Sequence, residues 1–165
     1  PIFYGHERVG LNGKHFKCWK FRSMNINSAQ MLEEILATDP VRRAEWEKDR
    51  KFTDDPRVTK FGKILRKTSL DELPQVINIL LGQMSFVGPR PVTEPELKKY
   101  GNFKNYVLSA TPGLTGMWQV SGRSDTGYEE RINFDTYYIQ NWSVWLDIWI
   151  LIKTVSVVLV GKGAY

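Results

Sequence analysis

The sequence predicts a mainly helical α+β fold in which one small N-terminal β-hairpin packs with amphipathic helices. Three observations carry this expectation. Asn12-Gly13 stands between two β-favouring runs, helix formers fill residues 28–50, and the last third repeats apolar residues at helical spacing. At 165 residues the chain has the length of one ordinary domain and can bury a proper core.

The stretch "PIFYGHERVGLNGKHFKCWKFRSM" reads as the hairpin, because Asn and Gly supply the positive φ angles a tight turn wants. Its "GLNGK" is not a phosphate-binding P-loop: Gly10 and Gly13-Lys14 stand too close, and His15 occupies the place of Ser or Thr. Residues 28–50 form two helical pieces broken at Pro40, and their mixed charges describe a solvated surface. "FTDDPRVTKFG" is a turn-rich connector, and a helix follows through "KFGKILRKTS". The next helical run closes at Gly82, after which two prolines flank Arg90 in "FVGPRPVTEPE". "LKKYGNFKNYVLSA" is helical with an interruption at Gly101. "TPGLTGMWQVSGRSDTG" has glycines at 113, 116, 122 and 127, and is expected to be an ordered loop of the kind that carries sites. The last third begins as an amphipathic helix and becomes apolar on nearly all sides over residues 144–160. Trp142, Trp145 and Trp149 share one face of it, which suits either a core or a membrane interface.

The net charge is +5, so an anionic partner is expected: nucleic acid, nucleotide phosphates or anionic lipid headgroups. No helix-turn-helix or RNA-binding signature is present, and nucleic acid is not expected as a partner. A single cysteine, Cys18, rules out an internal disulfide and a Cys-rich zinc site, and fits a reducing compartment. His6 and His15 lack metal-ligand spacing. No signal peptide opens the sequence, and no uninterrupted apolar run reaches the ~18–20 residues of a spanning helix. Because it opens on Pro1 rather than Met, the chain is expected to be a piece of a longer protein.

The candidate site is in "RKTSLDELPQVINILLGQMSFVGPRP", where Asp71 and Glu72 stand side by side. Spacing alone allows a structural account. Ser69-Leu70-Asp71-Glu72 fits a capping box before Leu73, Val76, Ile77, Leu80 and Leu81, and acidic residues in a first turn complement the helix dipole. Three neighbouring features favour chemistry instead. Pro74 removes the amide that would bond back to Leu70, which opens the backbone beside the carboxylates. Lys60, Lys63, Arg66 and Lys67 make a basic face just upstream. Arg90 between prolines and Arg123 in "SGRSD" are stiffly held guanidiniums of the kind that suit phosphate oxygens. Carboxylates among cations fit a metal-bound, phosphorylated substrate. Neighbours on a helix diverge by ~100°, so the two carboxylates cannot face each other across a sugar but can split duties. One can hold Mg²⁺, and the other can attack phosphorus.

Taken together, "KFRSM", the stretch around Asp71, "TPGLTGMWQVSGR" and "NWSVWLDIWILIKT" resemble the bacterial sugar transferases, the monotopic polyprenyl-phosphate phosphoglycosyl transferases. The likeness covers essentially the whole chain and is strongest to the galactose- and glucose-transferring members. It implies a ping-pong reaction at the cytoplasmic face of the inner membrane, with a UDP-sugar and undecaprenyl phosphate as substrates and the membrane interface as a partner. A homodimer is a further expected partner state. By the same resemblance Asp71 is the nucleophile, and Glu72 is the Mg²⁺ ligand. Arg66 binds phosphate, Pro89-Arg90-Pro91 forms a loop linked to the uridine nucleotide, and Arg123 and Asp147 match further active-site positions. Family members carry a hydrophobic re-entrant helix just before the segment matching Pro1-Ile2-Phe3-Tyr4. Residues 1–165 are therefore expected to be the catalytic domain without that anchor. The rival expectation is a basic peripheral module on anionic membranes, with Asp71 and Glu72 serving only as a cap.

Overall fold

The computed structural model describes residues 1–49, 52–121 and 127–160. The hairpin forms as the sequence predicts. Strand β1 (Phe3–Val9) pairs antiparallel with β2 (His15–Phe21), placing Phe3 opposite Phe21 and Val9 opposite His15. A 3-10 turn at Leu11–Gly13 reverses the chain, with Asn12 at φ 55° and Gly13 at φ 77°.

Helix α1 (Ser28–Thr38) buries no residue fully and leans on α2 (Pro40–Asp49). Asp39 separates them by capping the second: its side chain accepts from the amides of Val41 and Arg42, both at 3.0 Å, while Pro40 takes the first helical position. The connector after α2 is pinned by the Trp46–Phe52 ring pair and by Arg57, which lies over Trp46 and pairs with Asp55 at 2.7 Å. Helix α3 (Lys60–Lys67) is capped by Thr59, whose hydroxyl accepts from Gly62 N at 2.9 Å. Gly62 has to be glycine, because a Cβ there would run into the Ser23 carbonyl. Helix α3 therefore lies directly against the chain leaving β2.

No continuous helix starts at Ser69. A 3-10 turn at Leu70–Glu72 is followed, beyond Pro74, by the short α4 (Gln75–Leu80). Leu73 N bonds to the Leu70 carbonyl at 3.2 Å, the contact left to it once Pro74 can offer no amide. Strand β3 (Ser85–Val87) then pairs in parallel with β4 (Gly113–Thr115). Between these strands run the Pro89–Pro91 loop, α5 (Glu94–Lys99), a 3-10 turn at Gly101–Phe103, and α6 (Lys104–Leu108). Gly101 interrupts the helical stretch as expected, at φ 50°. The expected loop from residue 111 onward is more ordered than the sequence predicts: it holds β4 and then α7 (Met117–Ser121). A three-residue strand is too short to show a period, so the glycines are the stronger signal in this stretch of sequence.

The last third is two helices, α8 (Tyr128–Gln140) and α9 (Val144–Val160). Ser143 starts the second by accepting from Leu146 N at 3.1 Å. Ile150 is fully buried against Val87 and Tyr138, whereas Trp142, Trp145 and Trp149 are exposed, Trp145 by 79%. Trp142 precedes α9, so the expected three-Trp face is not formed, and the α9 face that carries Trp145 and Trp149 is not core. Among the described residues no helix is long and apolar enough to cross a membrane. A second cluster, Val9, Val92, Leu97, Tyr100, Val107 and Ile132, ties the hairpin to the helical body, and Phe16, Cys18 and Met84 form a third beneath β2.

Candidate active site

The 3-10 turn carrying Asp71 and Glu72 is set by an unusual residue. Ser69 adopts the left-handed conformation, φ 56° and ψ 16°, and its side chain caps nothing. The capping box that spacing allows is absent, and Glu72 is turned instead toward β2 and the Pro89–Pro91 loop. An L-residue other than Gly costs about 1–2 kcal/mol in this conformation, while Gly loses about 0.5–1 kcal/mol more chain entropy on folding than Ala. Ser69→Gly is thus expected to stabilise the protein by about 0.5–1 kcal/mol, a rise of about 1–4 °C in melting temperature. Ser69→Val should lower it. A fall with Gly would place a missing contact at the serine hydroxyl.

Glu72 Oε1 receives two cations, Lys20 Nζ at 2.6 Å and Arg90 Nη2 at 3.3 Å. Their side chains are partly buried, at 20% exposure for Glu72 and Lys20 and 29% for Arg90. Burial disfavours the charge on Glu72, but Arg90 and Lys20 outweigh it and hold its pKa down to about 2. Asp71 is treated oppositely. Among the described residues its carboxylate has no hydrogen-bond partner, and burial raises its pKa against the pull of Lys20, Arg66 and Arg90. A carboxylate partly withdrawn from water and left unbonded is a stronger base and nucleophile than a fully solvated one. One member of the pair is neutralised while the other stays available.

The cations are held from three directions. Arg66, on α3, donates from Nε to Ser23 Oγ at 3.0 Å, and its charge lies within electrostatic reach of Asp71. Lys20 comes from β2, whose outer edge is clamped by the fully buried amide of Asn78 on α4. Asn78 Oδ1 accepts from Trp19 N at 3.0 Å, and Nδ2 donates to the Lys17 carbonyl at 2.8 Å and to Gln83 Oε1 at 2.7 Å. Arg90 is presented by a stitched loop: Pro89 and Pro91 are buried, the Pro89 carbonyl accepts from Gly113 N at 2.8 Å, and the Val92 carbonyl accepts from Val9 N at 2.8 Å. Gly88 and Gly113 pack backbone to backbone, so a Cβ on either would collide with the other residue's strand.

Asp71, Glu72, Arg66 and Arg90 are thus brought to one place. Asp147 takes part in a different arrangement, accepting from Tyr138 OH at 2.8 Å and Trp142 Nε1 at 3.2 Å, which answers the need of a carboxylate on an apolar helix. Tyr138 OH also reaches the Val87 carbonyl at 3.4 Å, just before the Arg90 loop. Arg123 lies outside the described residues. Lys20 and Asn78 were not among the residues singled out from the sequence, for they meet the turn only through the hairpin's fold.

Among the described residues no three His, Cys, Asp or Glu side chains gather into a metal cage. The donor set still fits Mg²⁺, which is commonly bound by one or two carboxylates and completed by substrate phosphates. Glu72 is ionised, and among the described residues its Oε2 accepts no hydrogen bond.

The sequence profile of the bacterial sugar transferases matches residues 1–161. The chain belongs to that family. Curated relatives include the UDP-galactose-lipid carrier transferase of Erwinia amylovora, 59% identical over all of this chain and 34% of the relative. The undecaprenyl-phosphate galactose phosphotransferase of Salmonella typhimurium is 57% identical, over all of this chain and 35% of that protein. The exopolysaccharide production protein ExoY of Sinorhizobium fredii is 52% identical, over 99% of this chain and 73% of its own length. The chain thus spans about a third of the first two relatives. Within this sugar transferase domain the exposed apolar surface adjoins the charged site. Phe61 and Ile64 on α3 and Leu73, Ile77, Leu80 and Leu81 around α4 are all open to solvent, Leu80 by 82%.

Proposed function

We propose that this domain transfers a sugar-1-phosphate, with galactose-1-phosphate as the first candidate, from a UDP-sugar to undecaprenyl phosphate and releases UMP. The observation that carries this reading is the division of the pair: Glu72 neutralised by Lys20 and Arg90, Asp71 half-buried and, among the described residues, unbonded beside the same cations. In the first step an Asp71 carboxylate oxygen bonds to the β-phosphorus. The bond from that phosphorus to the bridging oxygen breaks, and UMP leaves with the electron pair. In the second step a phosphate oxygen of undecaprenyl phosphate attacks the same phosphorus, the acyl-phosphate bond breaks, and Asp71 departs as a carboxylate. The lipid-linked diphosphate sugar that results is the first intermediate of a surface polysaccharide.

Lys20, Arg66 and Arg90 offset the repulsion between an anionic nucleophile and an anionic diphosphate, which is most of what phosphoryl transfer asks of a protein. Mg²⁺ held at Glu72 would supply further charge neutralisation on the phosphates. Galactose is favoured by the names of the Erwinia and Salmonella relatives. The exposed apolar residues of α3, α4 and α9 support a seat on the cytoplasmic face of the inner membrane, where a lipid-borne acceptor is met.

The test is incubation with UDP-galactose and Mg²⁺, with UDP-glucose as a parallel arm. UMP release and a sugar-phosphate adduct on the peptide containing Asp71 are expected. UDP at about a hundredfold over its Kd should stabilise the protein by about 2.7 kcal/mol, while ADP should not. Equal responses to UDP and ADP, with no adduct, would leave only a basic binding module.

A further inference from the structure

Arg131, on α8, is a buried charge outside the carboxylate pair and its cations. Its side chain is 7% exposed, yet it makes no close ion pair. The nearest carboxylates are Glu96 at 3.6 Å and Asp135 at 3.8 Å, and Asp135 already accepts from Tyr100 OH at 2.7 Å. The Arg131 guanidinium lies over Trp118 at 4.9 Å and Tyr128 at 5.4 Å from the ring centroids. Its Nε is buried without a hydrogen bond among the described residues. Burying a guanidinium is costly unless its donors are used, and an apolar side chain would fill the space at less cost. What the charge does hold is the loop: Nη2 donates to the backbone carbonyl of Arg90 at 3.3 Å. Arg90's own guanidinium lies over the same Trp118 ring, at 6.0 Å.

We infer that Arg131 is a positioning residue for Arg90, fixing both the carbonyl of its loop and the aromatic ring under its head group, so that Arg90 meets the diphosphate of the donor. This rests on the reading of Arg90 given above. Arg131 touches no substrate. It acts through Arg90, whose other partner is Glu72. Glu96 extends the support, pairing with Arg8 of β1 at 2.9 Å while closing the capping box of α5 with Thr93. The Arg131 guanidinium thereby ties α8 to α5 and the loop, and Glu96 carries the tie on to the strand.

The experiment is a double-mutant cycle on the full-length protein in membranes, with Arg131→Met, Arg90→Lys and the double variant. KM and kcat for UMP release from UDP-galactose are measured beside melting temperature. Arg131→Met alone is expected to raise KM for the donor about tenfold or more. In the Arg90→Lys background the same change should cost less than about twofold, because its effect passes through Arg90. Should Arg131→Met fail to fold, Arg131→Lys, which keeps the charge and loses the fork, completes the cycle with the same expectation. Additive losses, or an unchanged KM with only a lower melting temperature, make Arg131 a packing residue and overturn the inference alone. If Arg90→Lys by itself leaves donor KM and UDP-induced stabilisation unchanged, the reading of Arg90 falls and takes this inference with it.

Discussion

Asp71→Asn is expected to reduce UMP release from the UDP-sugar by about a thousandfold or more while leaving the protein at least as stable as before. Both halves follow from the geometry. The amide oxygen is a poor nucleophile and cannot form the acyl-phosphate, so the covalent step is lost. The carboxylate it replaces is disfavoured by burial, its pKa raised above the ordinary 3.8. Such a group lowers stability as pH rises from its unfolded pKa through its folded one, and Asn removes that cost. Glu72→Gln should also inactivate, but with the opposite effect on stability. The pKa of Glu72 is depressed from 4.5 to about 2, so its contribution is present above pH 4.5 and lost as pH falls toward 2. Loss of the charge should cost about 3 kcal/mol at neutral pH and leave Lys20 and Arg90 facing each other unpaired. The pair thus separates into a residue kept for reaction and one kept for order. Thermal unfolding and UMP release on the two variants read this directly. UMP release should also fall in acid with an apparent pKa above 3.8, as Asp71 takes up its proton. Unchanged release by Asp71→Asn would remove the nucleophile from this position.

What the sequence made legible depended on how local each signal is. Asn12-Gly13 specifies its turn within two residues, and the hairpin is where it was expected. Asp39, Thr59 and Thr93 likewise cap the helices that follow them within three residues. Ser69 offers the same chemistry and does something else. Pro74 forbids the long helix, so the serine bends left-handed and the expected box never closes. The motif that looked most like a cap is the one that frees the carboxylates. Asp71, Glu72, Arg66 and Arg90 were legible because they cluster in 25 residues of motif, counted from Arg66 to Arg90 in the sequence. Lys20, 52 residues from Glu72, and Asn78, 59 from Trp19, carry no local mark. Their roles exist only once β2 lies against the turn. The parallel pairing of β3 with β4 was hidden for a similar reason, since three-residue strands have no period and their partners are far apart along the chain.

Asn78→Leu should be the most damaging single change for the fold. Trp19 N points away from β1, and at an open sheet edge it would bond to water or to another strand. Here the edge is covered by one side chain, the Asn78 amide taking the place of a third strand with an acceptor for Trp19 and a donor for Lys17. Leu is similar in volume but offers neither, and it leaves the Trp19 amide and the Lys17 carbonyl without their partner beside a fully buried side chain, while the exposed Gln83 can turn its amide oxygen to water. Each unsatisfied group costs about 1–3 kcal/mol, so a loss of about 3–5 kcal/mol is expected. For a domain of this size that is about 10–15 °C in melting temperature. Asn78→Asp tests the chemistry rather than the shape, since it keeps the acceptor for Trp19 but loses both donors. It should be as harmful as Leu at neutral pH and recover in part as acid protonates the new carboxyl. Lys20 is the next residue along the same strand, so UMP release should fall further than unfolding alone explains, as the 2.6 Å contact to Glu72 loosens. A melting temperature within about 2 °C of the parent for both variants would mean that the edge is held by something other than this amide.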